Sequence, residues 1–182
     1  MKLQPFFWKS CRVIACETRL QLLWQIFEAE ELTVTELRFL VGISQPNASN
    51  QLRSLSECGL IISRRNEMSV IYRAEANEVI KFAEELLKAL HRFYARSEPF
   101  AEIIHQATAF THQRRIEIAR VLHKNPLGFQ ALLDKTGMSA PALSRHLNKL
   151  ERRGFVKRTG KRISLGRPGN ALGRTLMTLV FA

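Results

Sequence analysis

Apolar residues recur at helical spacing along most of the chain, broken at intervals by turn residues and short β-prone runs. Leu22, Leu23, Ile26 and Phe27 form the first stripe, after a candidate cap at Thr18. Thr33 reads as the cap of a short helix through Leu40, with Glu36 at its third position completing a capping box. Gly42 permits a tight turn, and Ser44 caps a further helix with Pro46 in its first turn, where a missing N–H is harmless. Ala48, Leu52 and Leu55 give that helix its apolar stripe, and Gly59 is placed to end it in left-handed conformation. Two β-prone runs follow, 60–63 and 69–73, separated by the polar Arg64-Arg65-Asn66-Glu67. Helix, helix, tight turn, helix and hairpin in this order predict a winged helix-turn-helix.

The same order then returns. Sliding the sequence on itself by 95 residues places Arg19 on Arg114, Leu32 on Leu127, Leu37 on Leu132 and Gly42 on Gly137. Ser44, Pro46, Ser49, Leu52, Leu55 and Gly59 likewise fall on Ser139, Pro141, Ser144, Leu147, Leu150 and Gly154. Ile116, Ala119, Val121 and Leu122 make the first helix of this second copy, 129–136 the second and 141–153 the third. Strands at 156–158 and 162–165 flank Thr159-Gly160-Lys161. A period this long indicates a domain duplication rather than a solenoid. An amphipathic helix over 78–96 joins the copies, with Val79, Phe82, Leu86, Leu87, Leu90 and Phe93 on one face, and Ser97-Glu98-Pro99 breaks it. The expectation is a mainly α chain with small β-hairpin wings, built as two tandem winged helix-turn-helix domains. Residues 1–96 carry the N-terminal segment and the amphipathic helix; 97–182 form a strongly basic unit with a short C-terminal helix.

Several segments resemble the arsenic-repressor-like (ArsR-like) family of small winged-helix transcriptional repressors, usually homodimers. In the first copy these are 18–23, 31–37, Ser44-Gln45-Pro46-Asn47-Ala48-Ser49-Asn50-Gln51-Leu52, 58–61 and 70–73. In the second, Ser139-Ala140-Pro141-Ala142-Leu143-Ser144-Arg145-His146-Leu147 is similar to the same recognition-helix motif. The resemblance implies DNA binding, terminal helices that build a dimer interface, and a His146 that faces the DNA backbone. One departure stands out: the family's thiol-based metal sensors carry two cysteines where this chain has Thr33 and Thr35. Hydroxyls are poor ligands for soft metals, so no metal or other cofactor is expected.

Charge sharpens this reading. The 182 residues hold 28 Lys+Arg and 16 Asp+Glu, a net charge of +12. Residues 1–96 contribute 13 basic and 11 acidic groups, and 97–182 contribute 15 and 5. The basic excess therefore belongs to the second unit, where it would attract phosphate. With Ala48, Leu52 and Leu55 inward, Gln45, Asn47, Ser49, Asn50 and Arg53 are left for base edges, with Gln51 placed for a nearby phosphate and Arg64 and Arg65 on the hairpin. In the second copy Ser144, Arg145, His146, Asn148 and Lys149 on the third helix, and Lys157, Arg158, Lys161 and Arg162 on the hairpin, are the candidate contacts. Arg145 is the candidate guanine reader.

Other constellations carry less. His105, His112 and His123 would be too far apart on one helix to share a metal. Gly166-Arg167-Pro168 reads as a turn. Cys11 and Cys16 lack redox or metal spacing, although a thiol-responsive switch through them is a third hypothesis, and Cys58 reads as a core residue. No phosphate loop, nucleophile elbow or carboxylate pair suggests catalysis. No apolar run is long enough to span a bilayer, and Lys9 and Arg12 interrupt the apolar start too early for a signal peptide, so a cytoplasmic protein is expected. Phe6-Phe7-Trp8 and the late apolar run over 172–181 lie outside both winged units and are candidates for assembly. The expected function is sequence-specific binding of double-stranded DNA by a transcriptional regulator, with repression as the expected sign. The chain would act as an internal pseudo-dimer or as a homodimer, with an effector that the sequence does not name. The alternative is a winged-helix module that docks proteins.

Overall fold

Two similar runs of elements follow one another in the computed structural model, which describes residues 7–66 and 69–182. Phe6 and Glu67 lie outside the described residues. The first run is α1 (Phe7–Ile14), α2 (Glu17–Ala29), β1 (Glu31–Thr33), α3 (Val34–Val41), α4 (Gln45–Glu57), β2 (Ile62–Asn66), β3 (Ser69–Arg73) and α5 (Ala83–Ala95). The second is α6 (Phe100–Ala107), α7 (Gln113–Lys124), β4 (Leu127–Gly128), α8 (Phe129–Thr136), α9 (Ala140–Arg152), β5 (Val156–Thr159), β6 (Arg162–Leu165) and α10 (Ala171–Phe181). Each run is a winged helix-turn-helix.

Local chemistry explains the starts and stops. Thr33 Oγ1 accepts from the Glu36 N–H, and the Glu36 carboxylate accepts from the Thr33 N–H at 2.7 Å, which completes the capping box of α3. The turn into α4 needs a left-handed residue, supplied by Gly42 at φ +71°, and Gly137 repeats it at φ +61°. Gly166 serves a different need: a Cβ there would lie 2.3 Å from the Gly154 carbonyl oxygen. Only a bare backbone fits at that crossing. Each wing also gains a short third strand, giving the orders β1-β3-β2 and β4-β6-β5, with Leu32 opposite Tyr72 and Leu127 opposite Ile163.

Several expectations need correction. Arg64, Arg65 and Asn66 belong to β2, paired with Ile71, Val70 and Ser69, rather than to a connector. The linking helix starts at Ala83, not at 78, because the Asn77 side chain takes the Val79 N–H at 3.0 Å and Asn77 O takes the Ile80 N–H at 2.9 Å. These local bonds compete with the helix and leave Val79 exposed. Helix α2 is capped at Cys16 rather than Thr18. His112 caps α7, its Nδ1 accepting from the Arg114 N–H at 3.1 Å, so the three histidines do not share one helix.

The repeat also changes register. Buried Leu52 and Leu55 of α4 answer Leu147 and Leu150 of α9 at the expected offset of 95 residues. In the helices before them, buried Leu20, Leu22, Leu23 and Ile26 answer Ile116, Ile118, Ala119 and Leu122, an offset one residue longer. The counterpart of Arg19 is therefore Arg115, not Arg114. The extra residue is taken up where Glu31–Thr33 is matched by the shorter Leu127–Gly128.

One apolar core runs through both units. Helix α1 packs on α6, and α5 packs on α10, so elements in matching places of the two runs meet each other. Trp24 of α2 meets Tyr94 of α5 at 5.8 Å and Phe100 of α6 at 5.2 Å, both edge to face. Phe93 is buried within the same core, and Arg120 of α7 donates from Nε to the Val180 carbonyl of α10 at 2.8 Å. The terminal helices that lie outside the winged units thus join them.

Candidate nucleic-acid interface

In a helix-turn-helix the second helix of the motif presents its start to the major groove while flanking groups hold phosphates. Ala48, Leu52 and Leu55 seat α4 on the core, which leaves Gln45, Asn47, Asn50 and Arg53 exposed and Ser49 half-buried. Arg64 and Arg65 are exposed on β2. Gln51 departs from its expected role. Its amide oxygen accepts from Arg19 Nη1 at 2.7 Å and its amide nitrogen donates to Asn47 Oδ1 at 2.9 Å. Both ends of the side chain are engaged within the protein, which ties half-buried Gln51 to its neighbours rather than leaving it free for phosphate.

The second unit presents cations instead of amides. Arg145 and Asn148 are exposed on α9, with Ser144 and Lys149 half-buried beside them. Lys157, Arg158, Lys161 and Arg162 are exposed on the wing. Arg158 reaches back to the helix: its Nη2 donates to Asn148 Oδ1 at 2.8 Å and its Nε lies 3.5 Å from the Glu151 carboxylate. That bridge fixes the wing against α9 and offsets part of the Arg158 charge. Between them lies a groove of about 540 Å³ lined by Ser144, Arg158, Lys161 and the start of α8, which has no side-chain cap. Arg153 turns away, donating to Thr108 Oγ1 at 3.1 Å. Burial lowers the Lys149 pKa, and the repulsion of Arg153, Arg115 and Arg152 adds to it.

His146 is a second correction. It is 6% exposed, on the core side of α9, with its ring 4.7 Å from that of His112. Burial first, then the positive field of His112 and nearby arginines, push its pKa down to about 4. It therefore stays neutral at pH 7, and its ring lies on the core side of α9 rather than on the exposed face expected for a backbone contact. Because the unfolded histidine titrates near 6.5, the stability held by its neutral form is full above that pH and is lost as pH falls toward 4. Gln51 occupies the matching place in the first unit. His146→Gln is accordingly expected to make the fall in urea stability between pH 6.5 and 4 shallower; an unchanged profile would contradict this.

Two arginines that helical spacing alone does not single out organise the site from behind. Arg19 Nε donates to the Val13 carbonyl at 2.6 Å and its Nη2 to the Arg12 carbonyl at 3.0 Å. Arg115 repeats the clamp with Ala109 O at 2.5 Å and Thr108 O at 3.2 Å, and its Nη2 adds a bond to Thr111 Oγ1 at 2.7 Å. The available signal was an arginine shared by both first helices, but the sequence offset paired Arg19 with Arg114.

The sulfur and hydroxyl positions also find places. Cys11 and Cys58 are buried, and burial together with the nearby Cys58 raises the Cys11 pKa. A suppressed thiolate suits Cys11 poorly to exchange with Cys16. The Thr33 hydroxyl, standing where the metal sensors have a cysteine, is used in the α3 cap.

A family model described as bacterial regulatory protein, arsR family, matches residues 16–63 and 112–158, which together make just over half of the chain. A biofilm growth-associated repressor of Xylella fastidiosa is 32% identical over 87 residues, covering 48% of this chain and 72% of that protein. The transcriptional activator HlyU of Vibrio cholerae is 31% identical over 86 residues, covering 47% and 75%. The arsenic resistance transcriptional regulator ArsR1 of Pseudomonas putida is 33% identical over 79 residues, covering 43% and 61%. A solved structure of reduced HlyU from Vibrio cholerae has 32% identity and a TM-score of 0.37, covering 47% of this chain and 85% of its own.

Proposed function

The chain belongs to the arsR family of bacterial regulatory proteins, and from that premise we propose that it is a transcriptional regulator that binds double-stranded DNA as an internal pseudo-dimer. The observation that carries this reading is the packing of α1 on α6 and of α5 on α10. Matching elements meet each other, as the two identical patches of a twofold dimer do. One chain thereby supplies two recognition helices, α4 from the unit over 1–96 and α9 from the unit over 97–182.

The two helices do different work. Helix α9 and its wing supply phosphate attraction through Arg145, Lys149, Lys157, Lys161 and Arg162, with Ser144, Asn148 and Arg158 around the groove. Helix α4 supplies amides suited to base edges at Gln45, Asn47 and Asn50, with Arg53, Ser49 and the wing residues Arg64 and Arg65 flanking them. The operator is accordingly a pair of unlike half-sites rather than a palindrome. Occupying it as a repressor, in the cytoplasm, is a binding function without catalysis. No helix among the described residues is long and apolar enough to cross a membrane.

A second reading has one observation in its favour. Phe39 and Leu40 on α3 are 67% and 56% exposed, where the second unit has Asp134 and Lys135. That pair would suit a first unit that docks protein rather than DNA. Selection of bound sequences from a random duplex pool separates the readings. Two unlike, inverted half-sites are expected; no enrichment for the first unit would favour docking.

A further inference from the structure

We infer that Arg19, half-buried behind the recognition helix of the first unit, fixes which hydrogen-bonding end Asn47 presents to DNA and so sets the class of base it selects. The inference rests on the proposal that α4 meets base edges. Asn47 is the third residue of α4, exposed at the end of the helix that enters the groove.

A side-chain amide has a donor end and an acceptor end, and either could face a base. Here the choice is made from behind. A guanidinium has only donors, and Arg19 is held in place by the Val13 and Arg12 carbonyls at 2.6 and 3.0 Å. The end of Gln51 that meets Arg19 Nη1 at 2.7 Å must therefore be its oxygen. Its NH2 is then the end left for Asn47, and the Asn47 atom that meets it at 2.9 Å must be the oxygen Oδ1. Because the amide is planar with its two ends opposed, the Asn47 NH2 is directed away from Gln51. The relay runs in one direction only.

An outward donor favours an acceptor on the base. In the major groove guanine offers O6 and thymine O4 at the place where adenine and cytosine offer an amino group. Reaching that O6 or O4 position, Asn47 thus selects a keto base, guanine or thymine, over an amino base, whereas a contact at N7 would not tell adenine from guanine. The second unit has no such relay. Ala142 stands in the place of Asn47 and buried His146 in that of Gln51, and Arg115 turns its spare donor to Thr111.

The relay can be reversed without dismantling the clamp. In Gln51→Glu the carboxylate still accepts from Arg19, but it can only accept from Asn47 as well. Asn47 must then turn its NH2 inward and its oxygen outward. Asn47→Asp reaches the same outward acceptor while leaving the Arg19–Gln51 bond untouched, which guards against misfolding of the first variant. Selection from a random duplex pool is run on the whole chain as wild type, Asn47→Ala, Gln51→Glu and Asn47→Asp, with circular dichroism as a check of folding. The wild type is expected to prefer a keto base at one position by roughly tenfold, on the order of a good base contact. Asn47→Ala is expected to lose that preference, and the two acidic variants to prefer an amino base there. Loss of preference in Asn47→Ala with an unchanged keto preference in a folded Gln51→Glu would overturn the relay alone. An unchanged pattern in all three variants would overturn the placement of α4 on DNA itself.

Discussion

Phe93→Ala is expected to lower stability by about 3–5 kcal/mol, and to do so for both winged units at once. Phe93 is a large, fully buried side chain of α5, the helix that packs on α10 of the other unit. Truncating it leaves a cavity in a core that continues from the α1–α6 contact to the α5–α10 contact. Set against a total of about 5–15 kcal/mol for a typical domain, this is a large fraction. Trp8 and Trp24, the two tryptophans, both belong to the first unit, and Trp24 also meets Phe100 of α6, so their fluorescence follows the first unit and its contact with the second, while far-ultraviolet circular dichroism follows helices in both. Coincident urea transitions by the two probes are expected in wild type and variant. Separate transitions would show two independent domains on a linker, and the pseudo-dimer would lose its structural basis.

The second large effect concerns binding. Arg145→Ala combined with Lys149→Ala is expected to weaken duplex DNA binding by about 30- to 100-fold at low salt, and to flatten its dependence on salt by about one released ion for the lysine. Arg145 is exposed on α9, and Lys149 is half-buried at the edge of the same helix. Lys149 lies among Arg153, Arg115 and Arg152, and Ser144, the neighbour of Arg145 in sequence, lines the groove that Arg158 and Lys161 share. Fluorescence anisotropy with a labelled duplex across a salt series measures both quantities. Unchanged affinity and slope would place the phosphate contacts elsewhere.

Features decided within a few residues were legible in the sequence. The Thr33–Glu36 capping box, the left-handed turn at Gly42 and the inward stripe of α4 each depend on neighbours one or two turns away. Features decided by distant partners were not. Strands β1 and β4 span three and two residues, too few to announce themselves, and exist because β3 and β6 offer open edges. An apolar face at 78–82 suggests an earlier start for the linking helix, but the Asn77 side chain competes for the backbone and α5 begins at Ala83. Within the site, exposed Asn47, Asn50, Arg53 and Arg145 follow from helical spacing alone. Gln51 and His146 do not, since their surroundings are set by Arg19 of α2 and by His112, which caps α7. The register change between the repeats hid the paired arginine clamps for the same reason: one residue of slip put a surface Arg114 where a core-side Arg115 belongs.

The central claim is that one chain carries both halves of a dimer, and the mass of the DNA complex tests it most directly. Multi-angle light scattering on the protein, free and with a selected operator, is expected to give a free mass near 20.9 kDa and one chain on each duplex. A free mass of about twice that value, with two chains on each operator, would contradict the account.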